Sequence, residues 1–442
     1  MRKLVKKLLP APLHRSWVEY NERRNREPTI DEFYEALQKE KRRLRAARPA
    51  SGELKRLLIV ACDPKTIFGS IGDDAMITAT LQQARAVNPD VEIDILVNGM
   101  EIAAVALQRG FVPVDIFGRP DFIDALRRQF KTRKYDCVVV VGADVMDGYY
   151  NALVSAKLLA SADLAAATGI RNVILGFSFN EAPHPALAMF YRALHPGVSV
   201  NLRDAVSRGR LTSFATDRTS LVADSAFSLA PSAPDEETHA WIARKRAEGY
   251  RVMGLNLHPM LFKDADRAQI ETIIKRGAEA LQFVADARPI CWLLIPHDYR
   301  EGFGDQACLR AIAELVPASL ADRVRYLDGE WPATVLKGVA GQLDGIVSGR
   351  MHLAIAALGK GVPVICIAYQ GKFEGLYQHF GLATSELLSP AAFYTDDGIR
   401  NALINFVDQA DDIRERIRQK LPDVLSLSKK NFQIFEAFSK KN

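Results

Sequence analysis

Two α/β domains facing across a cleft are predicted by three observations. Apolar runs of strand length alternate with helical stretches from Lys55 onward. A second series of the same kind follows a segment holding Pro231, Ser232 and Pro234. At 442 residues the chain is long enough to bury two cores.

The elements follow in order. Residues 1–53 read as a charged helical arm, with Thr29 capping a helix over 31–48. Lys39, Glu40 and Lys41 alternate in sign, so the arm is mixed rather than basic. It is expected either to be solvated or to touch a membrane surface peripherally. Residues 54–232 form the first Rossmann-like domain, with strands over 56–62, 92–97, 137–141, 173–177 and 197–201. Helices are expected over 74–87, 102–108, 121–129 and 152–167. Residues 238–396 form the second such domain, with strands over 251–257, 290–295, 324–327, 345–347 and 362–367. Residues 397–442 read as a helical tail.

Composition narrows the function classes. Apolar content of 48% and charged content of 25% are those of a soluble globular protein. A net charge of +5, concentrated at the two ends, gives no footprint for nucleic acid. Cys62, Cys137, Cys291, Cys308 and Cys366 show no CxxC spacing, and four lie in or beside apolar runs. Reduced thiols in a cytoplasmic protein are expected. The N-terminus lacks the apolar core of a signal peptide, and no apolar run reaches membrane-spanning length.

The most informative segment is DGIVSGRMHLAIAALGKGVPVICIAY, Asp344 to Tyr369. It reads as strand, loop, helix, strand. Arg350 and His352 therefore fall at the carboxyl end of a strand and the mouth of a helix, where ligands bind in open α/β sheets. Free N–H groups and an arginine there suit a phosphate or carboxylate, and a histidine can move a proton. Met351 lies between the two and is grouped with the substrate-binding residues. His258 and His297 each close an apolar run on the same side, in LHP and IPHD. Either is a rival proton carrier. Lys372 follows the last strand and is either a ligand of the same cleft or a solvated loop lysine.

The first half adds FGSIGDDAM, Phe68 to Met76. It is neither GxGxxG nor a Walker loop. Asp73 either caps the next helix or contacts the acceptor. Arg203 ends the strand VSVNLR, and either shares an anion with Arg350 or pairs with Asp204. Asp224, in VADSAF, reads as a turn residue. No metal site has the paired spacing that zinc requires.

FGSIGDDAM, VNLRD with SRGRL, VADSAF, IPHD and above all GRMHLAIAALGKGVPVICIAYQGK resemble the polysaccharide pyruvyltransferase family, over roughly residues 56–382. Ser70 stands where the family usually has Asn, Met351 where Leu is common, and GFSFNE lacks a second glycine. The resemblance implies a GT-B-like fold and transfer of the enolpyruvyl unit of phosphoenolpyruvate to a sugar, giving a pyruvate ketal. It implies that Arg203, Arg350 and His352 match the residues that bind phosphoenolpyruvate and catalyse. The expected partners are phosphoenolpyruvate, which is a substrate and not a cofactor, and a sugar or lipid-linked oligosaccharide. No cofactor is expected. The expected setting is the cytoplasm, at the inner face of the membrane if the arm touches it. The rival readings are a GT-B glycosyltransferase using a nucleotide sugar, and a non-catalytic glycan-assembly protein of the same fold.

Overall fold

The computed structural model describes residues 26–44, 52–262, 265–300, 304–368 and 373–438. The first sheet holds β1 (Arg56–Val60), β2 (Glu92–Val97), β3 (Val112–Asp115), β4 (Cys137–Val140), β5 (Arg171–Phe177), β6 (Ser199–Leu202) and β7 (Ser220–Leu221). They run parallel in the order β3-β2-β1-β4-β5-β6-β7. The second sheet holds β8 (Arg251–Asn256), β9 (Ile290–Leu294), β10 (Val324–Tyr326), β11 (Gly345–Ser348) and β12 (Val364–Cys366). It is also parallel, ordered β10-β9-β8-β11-β12. The predicted class is therefore the observed one. Central strands such as β4 and β9 are buried throughout because helices cover both faces, so they are apolar without alternation.

The two strands not anticipated, β3 and β7, are edges. β3 carries Pro113 and is only half-buried, and β7 has two residues, so neither presents an apolar run. Strand order reverses between β1 and β4, and again between β8 and β11. The loops leaving these strands face one another, which puts two topological switch points on one cleft.

Of the arm, residues 1–25 and 45–51 lie outside the described residues, and the helix that remains needs correction. That helix is Ile30–Arg43, held by a full capping box from Thr29 and Glu32. It does not stand in solvent. Phe33 and Leu37 are buried in the core on the outer face of the first sheet, and Lys41 pairs with Asp163 at 2.7 Å. No helix among the described residues is long and apolar enough to cross a membrane.

The tail is a strap. Helix Asp396–Lys429 starts on the second half, where Asp408 pairs with Arg288 at 2.7 Å. Its end returns to the first sheet. Buried Asn431 accepts from the Gly176 amide at 2.7 Å and donates to the Ala223 carbonyl at 2.8 Å.

Candidate active site

A cavity of about 510 Å³ lies between the two sheets. Its walls come from the loops after β1 (Cys62, Asp63), β4 (Ala143, Asp144), β9 (His297, Asp298) and β11 (Gly349, Arg350). Arg203 reaches it from the end of β6, and Asp73 from the start of helix Ile71–Val87. Of the sequence-predicted residues, the cleft thus gathers Asp73, Arg203, His297, Arg350, Met351 and His352.

His258 is not on the wall. It is fully buried behind it, where its Nε2 donates to the Gly349 carbonyl at 3.0 Å. It shapes the β11 loop, and the cleft position expected for it is corrected. Lys372 lies outside the described residues.

Arg350 sits just ahead of helix Met351–Leu358, whose first turn has no side-chain cap. Its guanidinium is oriented by two carboxylates. Nε and Nη2 donate to Asp305 Oδ1 at 2.9 and 2.6 Å, and Nη1 lies 3.2 Å from Asp298 Oδ2. Asp305 is buried and also accepts from Asn256 Nδ2 and the His297 amide. This network fixes the fork of Arg350 and the loop bearing His297 together.

Arg203 is also paired, but with Asp224 and not Asp204. Its Nη1 donates to Asp224 Oδ2 at 3.0 Å and its Nη2 to Ser178 Oγ at 2.7 Å. Asp204 instead caps helix Ala205–Phe214 through the Ser207 amide. Asp224 is no ordinary turn residue. It is buried, its Oδ1 accepts from the Ala226 amide at 2.9 Å, and its Oδ2 faces His352 Nε2 at 3.8 Å. At that distance the imidazole is in electrostatic reach but not hydrogen-bonded. His352 Nε2 is buried and has no hydrogen-bond partner among the described residues. Its ring rests on Gly72, where any Cβ would lie 2.2 Å from Nδ1.

Burial depresses both histidines. His352 is lowered by desolvation, with Asp224 opposing and Arg203 adding to the effect. His297 is pushed well below the ordinary imidazole range by burial, His352 and Arg350. Both are neutral at pH 7. Asp73 moves the other way. Burial pushes its carboxyl up to about 6, although Cys62 and Ser70 hydrogen bonds and the Arg300 charge oppose this. Cys62 donates its thiol to Asp73 Oδ1 at 2.9 Å, and burial holds that thiol well above its ordinary value. It is a neutral donor and not a nucleophile. Among the described residues, no group of three or more His, Cys, Asp or Glu is arranged to hold a metal ion.

Sequence reasoning missed Asp224, Asp305 and His379, whose ring donates to the Arg203 carbonyl at 2.7 Å. Asp224 carried a faint signal as a carboxylate following the apolar pair Val222–Ala223. Asp305 and His379 carried none.

The family model for polysaccharide pyruvyl transferase matches residues 71–371, more than half of the chain. The chain belongs to that family. The matched segment holds every cleft residue just described except Cys62, Asp63 and Ser70. No curated protein matches the chain by sequence. Solved structures agree in fold. MnaA of S. aureus, solved with UDP, superposes with a TM-score of 0.54 at 10% identity, covering 83% of this chain and 91% of that one. The UDP-GlcNAc 2-epimerase of Neisseria meningitidis, bound to UDP-GlcNAc, gives 0.52 at 12% identity, covering 87% and 99%. Sucrose-phosphate synthase of Thermosynechococcus elongatus gives 0.50 at 13% identity, covering 86% and 98%. This family member therefore has the GT-B architecture of such epimerases and glycosyltransferases, and at these identities the likeness extends to fold alone.

Proposed function

We propose that the protein transfers the enolpyruvyl unit of phosphoenolpyruvate to two hydroxyls of a sugar, closing a pyruvate ketal on a polysaccharide or its precursor. The observation that carries this reading is the Arg203–Asp224–His352 cluster inside the family-matched segment, with the Arg350 fork on the same cavity. Phosphoenolpyruvate bears a phosphate and a carboxylate on one carbon. Two planar guanidiniums can grip two such anions, and the uncapped start of helix Met351–Leu358 adds N–H donors.

The chemistry balances without an oxidant. His352, protonated once the anion is bound, gives its proton to the methylene carbon. The double-bond electrons form the new C–H bond, and the central carbon becomes cationic. A sugar hydroxyl adds to that carbon and loses its proton to a base. Phosphate leaves with its bonding pair, and the second hydroxyl closes the ketal as its proton returns to neutral His352. Asp224 stabilises the imidazolium, and Asp73 is suited to take the hydroxyl proton because its carboxyl titrates at about 6. His297 is the rival proton carrier. The acceptor is a sugar or lipid-linked oligosaccharide, met in the cytoplasm or at the inner membrane face.

The test incubates the protein with phosphoenolpyruvate and a panel of glycans, reading inorganic phosphate and the mass of a ketal adduct together. A thermal-shift comparison with UDP-sugars runs beside it, since a ligand of the native state raises the midpoint. Stabilisation by UDP-sugars and none by phosphoenolpyruvate would reject the reading in favour of glycosyl transfer.

A further inference from the structure

We infer that the rim formed by Tyr149 and Tyr150 is an acceptor subsite, a stacking platform for a pyranose ring whose hydroxyl edge points into the cavity. This rests on the pyruvyl-transfer reading for what lies deeper in the cleft. Both tyrosines are more than half exposed, at 53% and 58%. Their rings stand at 89° with centroids 5.2 Å apart. One exposed tyrosine is ordinary, but two adjacent rings held in water at a cavity mouth forgo burial that folding would otherwise favour.

The turn that holds them is built, not loose. Buried Asp147 accepts from the Tyr149 amide at 2.9 Å and from the Asn180 amide at 3.0 Å, and its carbonyl accepts from the His184 amide. Gly148 has φ +77°, and a Cβ there would meet His184 and Leu187 at 2.8 Å. Asn151 then caps helix Ala152–Ala167 through the Leu153 and Val154 amides. Upstream, Ala143 takes φ +49°, a left-handed conformation unfavourable for alanine, and delivers Asp144 to the cavity wall. Tyr150 Oη lies 3.4 Å from Asp144 Oδ2.

Tyr150, Asn151 and Asp144 line the same cavity as His352, while Tyr149 stands just outside. A pyranose has an apolar C–H face and a hydroxyl edge. The electron-rich face of a tyrosine ring attracts the C–H face. The carboxylates of Asp144 and Asp73 accept from hydroxyls, which turns the edge inward toward the reacting groups.

Saturation-transfer difference NMR on the full chain tests this with methyl glucopyranoside, methyl galactopyranoside and methyl mannopyranoside, each with phosphoenolpyruvate present. Irradiating the aromatic protons should transfer saturation to ring C–H protons of at least one glycoside. Removing each ring should weaken that glycoside up to about tenfold, so Tyr149→Ala with Tyr150→Ala should erase the signal and the two Phe variants should keep it. Calorimetry on the same samples should give the double-Ala variant an unchanged affinity for phosphoenolpyruvate. The inference is overturned by an undiminished signal in the double-Ala variant, by no signal from any glycoside, or by lost phosphoenolpyruvate binding in that variant alone. If the wild-type chain itself does not bind phosphoenolpyruvate, the donor reading fails, and the glycoside signals still decide the platform.

Discussion

His352 is held by geometry that serves a proton carrier better than an anchor. Its Nε2 faces the Asp224 carboxylate without bonding it, and burial lowers the ring's pKa. A bound anion reverses that balance by favouring imidazolium. His352→Gln keeps the shape and loses the proton, so single-turnover rates should fall roughly 10²–10⁴-fold while phosphoenolpyruvate affinity stays within a few-fold. If His297→Gln shows that drop and His352→Gln does not, the two roles are exchanged. Asp73 gives a pH prediction. Its folded carboxyl is raised to about 6 from an ordinary 3.8, so the folded state holds the proton more tightly than the unfolded chain. That contribution is complete below pH about 4 and is lost as pH rises through about 6. Asp73→Asn should therefore gain on wild type over that window, by at most about 3 kcal/mol, in urea melts at stepped pH. A constant difference across the window would mean that Asp73 titrates normally.

At the scale of elements, the two halves touch where helix Ile71–Val87 meets helix Met351–Leu358, through Gly72 and the His352 ring. Gly72→Ala must displace that ring or part the helices. Overpacking of this kind costs roughly 1–3 kcal/mol. The cost should largely vanish in a His352→Ala background, which a double-mutant cycle by chemical denaturation would reveal. Neither contact could be read from sequence, because Gly72 looks like an ordinary turn glycine until the second half supplies its neighbour. The strands were legible for the opposite reason. Burial on both faces writes itself as an unbroken apolar run, so β1, β4 and β9 are plain, while β3 with Pro113 at an edge is not. Arg203, Arg350 and His352 were legible because strand ends in parallel sheets are where ligands go. Their carboxylate partners were not, since Asp224 and Asp305 meet those arginines from 21 and 45 residues away. Helix Ile30–Arg43 of the arm shows the same limit. Phe33 and Leu37 sit among charges, and only the fold shows the surface they cover. Phe33→Ala should cost about 3–5 kcal/mol through the contacts and cavity it removes. A melt within experimental error of wild type would return the arm to solvent.

For the whole molecule, the question is what keeps two domains at one spacing around a small substrate. Three devices act together. Asp74, buried on the first half, accepts from the Ala333 amide at the start of a second-half helix at 2.8 Å. Lys337, from that same helix, donates to the Ala226 and Phe227 carbonyls beside Asp224. Burial lowers its ammonium to about 8, so charge is costly there and the two carbonyls offset it. The third device is the strap that ends at Asn431. Its amide satisfies Gly176 and Ala223, which flank the Ser178 and Asp224 partners of Arg203 in sequence. Asn431→Ala leaves that buried N–H and carbonyl unpaired, each at about 1–3 kcal/mol. The substitution should thus lower stability by a few kcal/mol, with an effect on the distant site as well. With β5 and the Asp224 turn loosened, the Arg203 fork loses its fixed partners, and phosphoenolpyruvate affinity should fall although Asn431 touches no ligand. Asn431→Gln cannot restore the geometry in a fully buried slot, so it should behave like the alanine variant. Calorimetric titration well below the melting midpoint separates the two effects. Weakened binding by a fully folded variant supports the coupling. Wild-type affinity in a destabilised but folded variant would confine the strap to a purely structural role.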